Sequence, residues 1–242
     1  MSNQTFVWGN KNPDDSRIFG LGVLFGWAVN SAALYFFLPD IVASQPAIND
    51  SFSLDAMRGI IWVTLGWFWC YFSAMGAQVL IKERIGDDEH AIYVADRSML
   101  NSLEHAIPSL FLIWLVGIYS NVFLGTVLGS VYVLGRLIYP ILYGWYGQFT
   151  MLVEFSTHLG YFALGSLYLA LIGTLLWEPA CILIHMQNWY LPLVVLLGWF
   201  MYLGVQMFMF GWIAYVPIYE RGARWKKSFD AESEIRSEDK PK

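Results

Sequence analysis

The sequence is poor in charge. Only 14% of its 242 residues are Asp, Glu, Lys or Arg, against about a quarter in soluble domains. A chain with so little charge cannot clothe its surface in polar groups, so an apolar medium has to cover it. The net charge of −5 is small and dispersed. It leaves no basic footprint, and nucleic acid is not an expected partner. Cysteine is scarce too. Cys70 and Cys181 make neither a disulfide framework nor a metal-ligand spacing. The opening stretch, Met1 to Arg17, is polar and carries both signs. It has neither the apolar core of a signal peptide nor the acid-poor composition of a transit peptide, so an internal apolar segment is expected to direct insertion. Low-complexity tracts and internal repeats are missing as well. What the chain has in quantity is apolar: 57% hydrophobic residues, with 12 Trp, 14 Tyr and 17 Phe. Trp and Tyr collect where a membrane meets water, because the ring is apolar and its N–H or O–H is not.

A helix needs about 20 apolar residues to cross the hydrocarbon core. Six segments meet this length: Ile18 to Pro39, Gly59 to Ile81, Ile92 to Tyr119, Val122 to Tyr146, Phe155 to Trp177 and Trp189 to Tyr219. The expected fold is therefore all-α, a polytopic transmembrane helix bundle in a lipid bilayer. Six crossings put both termini and the loop after the second span on one side. Those segments hold Lys11, Arg17, Lys82, Arg84, Arg221, Arg224, Lys226 and Lys227, whereas the opposite loops offer only Arg58. Basic residues mark the inner side, so the termini are expected there.

Ionisable groups inside a bilayer are costly, and each is a functional-site hypothesis. In the third span Arg97, Asn101, Glu104 and Pro108 fall at i, i+4, i+7 and i+11, one stripe down a helix. Pro108 has no N–H for the carbonyl of Glu104, which frees that acceptor. In the fourth span Arg136, Tyr139 and Tyr143 form a second stripe. Glu104 lies roughly 18 Å from the inner end of its span and Arg136 roughly 15 Å from the end of its own, at 1.5 Å per residue. A Glu104–Arg136 ion pair is expected between these antiparallel neighbours. Arg97, with Lys82 and Arg84 close by, would then make a cationic pocket suited to an anionic ligand. A buried ion pair can equally serve only to clip helices together, and both readings stand at this point. Glu154 and His158, at i and i+4, have a spacing that suits a metal, but no third ligand is evident and no metal is expected. His90, His105 and His185 have no spaced partners and read as ordinary. Gly125, Gly129, Gly135, Gly160 and Gly165 suit close helix packing.

The run Arg97-x-x-x-Asn101-x-x-Glu104-x-x-x-Pro108, followed by Gly135-Arg136-x-x-Tyr139-x-x-x-Tyr143, resembles the MAPEG family, the membrane-associated proteins in eicosanoid and glutathione metabolism. The resemblance covers about Gly59 to Trp177. It implies a four-helix core at 59–177 that assembles as a homotrimer. The extra transmembrane helices at 18–39 and 189–219 and the charged soluble tail at 220–242 have no counterpart in that core, and a polar segment at 1–17 precedes them. It implies that glutathione is held at Arg97, Asn101, Glu104 and Arg136, with Lys82 or Arg84 contributing a cation. Tyr139 or Tyr143 is then the expected catalytic donor to the thiolate. Two departures are plain. Leu100 stands where many members carry a second Arg before the Asn. Between Tyr143 and His158 there is no Arg or Lys, where active members hold the cation that lowers the thiol pKa.

Two functions follow from the resemblance. One is a glutathione-dependent transferase, peroxidase or isomerase acting on a lipophilic small molecule. The other is a catalytically silent accessory subunit of a larger heteromeric membrane complex, which the missing cation and the added spans favour. A transporter or channel would need polar stripes on several spans, and the first, second and sixth have none. The endoplasmic reticulum or the mitochondrial inner membrane is the expected location, with both termini on the cytosol- or matrix-type side.

Overall fold

The computed structural model describes residues 13–43, 55–86, 88–176, 190–202, 217, 218 and 221. The chain divides into two compact units, Met1–Trp199 and Phe200–Lys242. The described elements of the first unit are all helices: α1 Pro13–Ala43, α2 Arg58–Arg84, α3 Glu89–Glu104, α4 Ala106–Tyr119, α5 Val122–Tyr146, α6 Met151–Leu176 and α7 Leu191–Trp199. Five stretches are long and apolar enough to cross a membrane, with α3 and α4 together forming one of them. The chain is a multi-pass integral membrane protein. The sixth expected span, Trp189 to Tyr219, opens as α7, and most of its remainder lies outside the described residues, as does nearly all of the tail.

Burial sorts the helices. In α6, 61% of the apolar window is enclosed, against 28% in α1 and in α2, so α6 is the hub and α1 and α2 are peripheral. Helices α1, α5 and α7 pack on α6, and α2 and α3 pack on α5. Where α6 crosses α7, Gly165 faces Gly198 so closely that a Cβ on either would run into the other's backbone. Small residues allow such approaches in membranes, where close packing rather than exclusion of water holds helices together.

Polar side chains tie α1 to this frame. Asn30 Nδ2 donates to the carbonyl of Leu159 on α6 at 3.1 Å. Trp27 Nε1 donates to the carbonyl of Pro192 on α7 at 2.7 Å. Asn121 Nδ2 donates to the carbonyl of Ile41 at 2.7 Å, while its Oδ1 caps α5 by accepting from the Leu124 N–H at 2.7 Å. With no water in the hydrocarbon core, each such bond satisfies a group that lipid cannot.

The boundaries differ from the sequence expectation in instructive ways. Helix α1 begins at Pro13 and runs past Pro39 to Ala43. Helix α2 continues to Arg84, its last turn carrying Lys82 and Arg84, where cations oppose the negative helix end. The third span is two helices, interrupted at His105. Pro108 supplies no donor to the Glu104 carbonyl and its ring crowds that carbonyl, so α3 stops there. The break is well satisfied next door. The His105 carbonyl accepts from Ser109 N–H at 3.1 Å, from Ser109 Oγ at 2.6 Å and from the Tyr132 hydroxyl at 3.4 Å. At its other end α3 starts on an Asp88 cap, whose carboxylate accepts from the N–H groups of His90 and Ala91, both at 3.0 Å. Helix α5 ends on Gly147, whose φ of 64° is the left-handed conformation that glycine adopts without penalty.

Candidate functional site

The site lies where α3 faces α5, just before the His105 break. Arg136 on α5 is buried, with 3% exposure, as is Asn101 on α3, with 6%. Arg136 Nη1 donates a hydrogen bond to Asn101 Oδ1. Its Nη2 has no hydrogen-bond partner among the described residues. The guanidinium carbon stands 5.2 Å from the centre of the Tyr132 ring, a cation–π contact that offsets part of the cost of burying the charge. One turn further along α5, Tyr139 and Tyr143 are buried and stacked, with ring centres 5.6 Å apart. The Tyr139 hydroxyl likewise has no hydrogen-bond partner among the described residues. Tyr143 in turn meets Phe149 of the α5–α6 turn at 5.3 Å.

Glu104 does not pair with Arg136. It pairs with Arg97, Nη1 to Oε1 at 3.2 Å, with the two side chains 51% and 34% exposed. The expected stripe therefore splits, and helical geometry gives the reason. At about 100° per residue, Arg97 and Glu104 lie within roughly 20° of each other around the helix, whereas Asn101 is displaced by roughly 40° from Arg97 and 60° from Glu104. That offset turns Asn101 into the bundle and leaves the ion pair on its outer face. Lys82 is likewise engaged, its Nζ 2.8 Å from Asp96 Oδ1, an oxygen that also accepts from Gln78 Nε2 at 2.7 Å. Arg84 is exposed at the end of α2. The structure thus gathers Asn101, Arg136, Tyr139 and Tyr143 inside, sets Arg97 and Glu104 on the flank, and keeps Lys82 and Arg84 apart from the Arg136 centre.

Tyr132 is not among the residues expected at the site, and His105 and His158, read from the sequence as an ordinary histidine and as one half of a Glu154 pair, make ring contacts that the spacing did not show. Tyr132 is one turn before Arg136, so Tyr132, Arg136, Tyr139 and Tyr143 repeat the i, i+4, i+7, i+11 spacing of α3; extending the stripe backwards would have found it. His105 sits at the break, its ring 5.5 Å from Tyr161, a tertiary contact with no sequence signature. His158 is 1% exposed, with Nε2 3.4 Å from Glu154 Oε2, and its ring meets Phe19 at 4.8 Å and Tyr161 at 5.9 Å. Among the described residues no group of three His, Cys, Asp or Glu could hold a metal.

Two cavities adjoin the centre. One of about 400 Å³ opens between α2, α3 and α5 near His90 and is walled largely by apolar groups such as Ile81, Val94 and Pro140. A second of about 290 Å³ lies between α2 and α5 and reaches Cys70 and Arg136. They share Ala74, Ala77 and Pro140.

A buried guanidinium with a neutral oxygen as its hydrogen-bond partner carries a charge that no carboxylate among the described residues balances. Such a centre can receive an anion, and the adjacent unpartnered tyrosine hydroxyl can donate to one. Residues 56–173, from just before α2 into α6, match the model of the MAPEG family. No curated protein and no solved structure matches the chain.

Proposed function

We propose, from the premise that this chain belongs to the MAPEG family through residues 56–173, that it binds glutathione at the Asn101–Arg136 centre and uses it on a lipophilic molecule. The observation that carries the reading is the Arg136 guanidinium: buried, hydrogen-bonded to a neutral oxygen, and with Nη2 unsatisfied among the described residues. An uncompensated charge in a bilayer costs several kcal/mol, and a ligand carboxylate would remove that cost. Arg97 and Glu104 offer a cation and an anion on the flank, complementary to the second carboxylate and the ammonium of the tripeptide. The unpartnered Tyr139 hydroxyl is the donor best placed to hold a thiolate. Asn101 keeps the guanidinium in place, and the apolar cavities beside it suit the lipophilic reactant.

The exposed Arg97–Glu104 pair also supports assembly. It lies inside the apolar stretch Glu89–Tyr119, beside the exposed Leu103, Ile107 and Phe111. Lipid solvates an ion pair poorly, so we infer that another subunit covers this face, in a homotrimer or a heteromeric complex. The catalytically silent alternative keeps one specific argument: no Lys or Arg stands between Tyr143 and His158 to support thiolate formation.

A thermal-shift titration of the detergent-purified protein tests the reading. Reduced glutathione raises the melting temperature saturably, and Glu104→Gln weakens the effect. No shift through the millimolar range would overturn the enzyme reading. A saturable shift without conjugation, peroxidase or isomerase turnover would leave the silent, ligand-binding subunit.

A further inference from the structure

Helices α1 and α7 lie outside the residues that match the family model, and between them runs a groove of about 690 Å³ lined by Arg17, Phe19, Leu21, Leu24 and Trp199, among others. We propose that this groove holds one anionic membrane phospholipid, its phosphate on Arg17 and an acyl chain along Phe19, Leu21, Leu24 and Trp199. The site is independent of the glutathione reading.

Depth and charge both point to this occupant. The uncharged run of α1 begins at position 18 of the sequence, and Arg17 stands directly before it, roughly 1.5 Å along the axis. That is the level at which lipid phosphates lie. Arg17 is exposed and forms no ion pair among the described residues, whereas Arg58, Lys82 and Arg97 each hold a carboxylate. A guanidinium at headgroup depth with no carboxylate partner among the described residues takes a phosphate through two charge-assisted hydrogen bonds. From there the groove descends over side chains without charge. Phe19, Leu21 and Leu24 are 43%, 47% and 58% exposed, so the wall is open to a chain lying against it.

The groove is also built rather than a chance furrow between lipid-facing helices. The Trp27 to Pro192 hydrogen bond fixes α1 against α7. The Trp199 wall is set by stacking on Phe162, with ring centres 5.4 Å apart and planes 15° from parallel. A pre-formed wall spares the bound chain the cost of ordering it. Loose annular contact would not distinguish one lipid from another; a cation at the mouth does.

The test uses the full chain in nanodiscs of mixed phosphatidylglycerol and phosphatidylcholine, released into mild detergent and weighed by native mass spectrometry. The expected result is preferential retention of one phosphatidylglycerol per chain. Arg17→Gln lowers that occupancy about tenfold, the worth of a lost charge-assisted bond, and leaves phosphatidylcholine unchanged. Leu24→Trp, which fills the groove without altering charge, lowers both. Melting temperatures of the two variants, measured alongside, are expected to match the parent because both side chains are on the surface. Equal retention of the two lipids by the parent protein, or equal phosphatidylglycerol retention by the parent and Arg17→Gln, would overturn the proposal.

Discussion

Asn101→Leu tests the centre of the site most sharply. Asn101 Oδ1 accepts the hydrogen bond of Arg136 Nη1, and Nη2 already lacks a partner among the described residues. Leu is close to Asn in size, so the substitution removes the acceptor without opening a large cavity. The guanidinium is then left buried at 3% exposure, with the Tyr132 ring as its remaining electrostatic support. Removing one partner of a buried hydrogen bond costs about 1–3 kcal/mol, and more where the stranded group is charged. A net loss of about 2–4 kcal/mol corresponds to a melting-temperature drop of about 4–16 °C for a chain of this size. The assay is thermal unfolding in one detergent, with Arg136→Leu and the double variant completing a cycle. Because an apolar pair replaces a buried polar pair at little cost, the double variant should recover most of the loss, giving a coupling of about 1–3 kcal/mol. If Asn101→Leu melts with the parent, or if the two single losses simply add, the Asn101–Arg136 bond does not hold this site.

Other substitutions probe other joints. Tyr139→Phe removes a hydroxyl with no partner among the described residues, so melting should stay within about 0.5 kcal/mol of the parent while glutathione-dependent turnover falls; unchanged turnover would remove Tyr139 from the catalytic role. Gly165→Leu drives a side chain into Gly198 and should cost at least about 1–3 kcal/mol, read as a lower melting temperature; a neutral result would contradict the α6–α7 crossing. Asn121→Ala loses both the α5 cap and the tie to Ile41 and should cost about 1–2 kcal/mol, whereas Asp96→Asn, breaking a half-exposed pair with Lys82, should cost under about 1 kcal/mol in the same unfolding assay.

Much of this architecture was written in the spacing of residues. Long uncharged runs fixed the helices, because a bilayer forbids any other backbone. The Pro108 break was legible in part, since the lost donor is a property of proline; that the chain would stop and restart at His105, with Tyr132 and Ser109 serving its carbonyl, needed the fold. Arg136, Tyr139 and Tyr143 were found from periodicity and do share a buried face. The partner of Arg136 was not. Asn101 and Glu104 lie about one turn apart on α3, and which of them turns inward depends on how the helix rolls against α5, a matter of packing that a stripe roughly 60° wide cannot decide. His158 was visible only as a pair with Glu154. Its contact with Phe19 arises from α1 lying against α6, segments more than a hundred residues apart in sequence, whereas Tyr161 stands three residues along the same helix.

Direct binding decides the central claim. Equilibrium dialysis of labelled reduced glutathione against the nanodisc-embedded protein, with Glu104→Gln in parallel, measures the site without requiring turnover. The account predicts saturable binding in the micromolar-to-millimolar range usual for such substrates, weakened about tenfold by the substitution, whose position is half-exposed and marginal for stability. Uptake that never saturates, or is the same for both proteins, would contradict it.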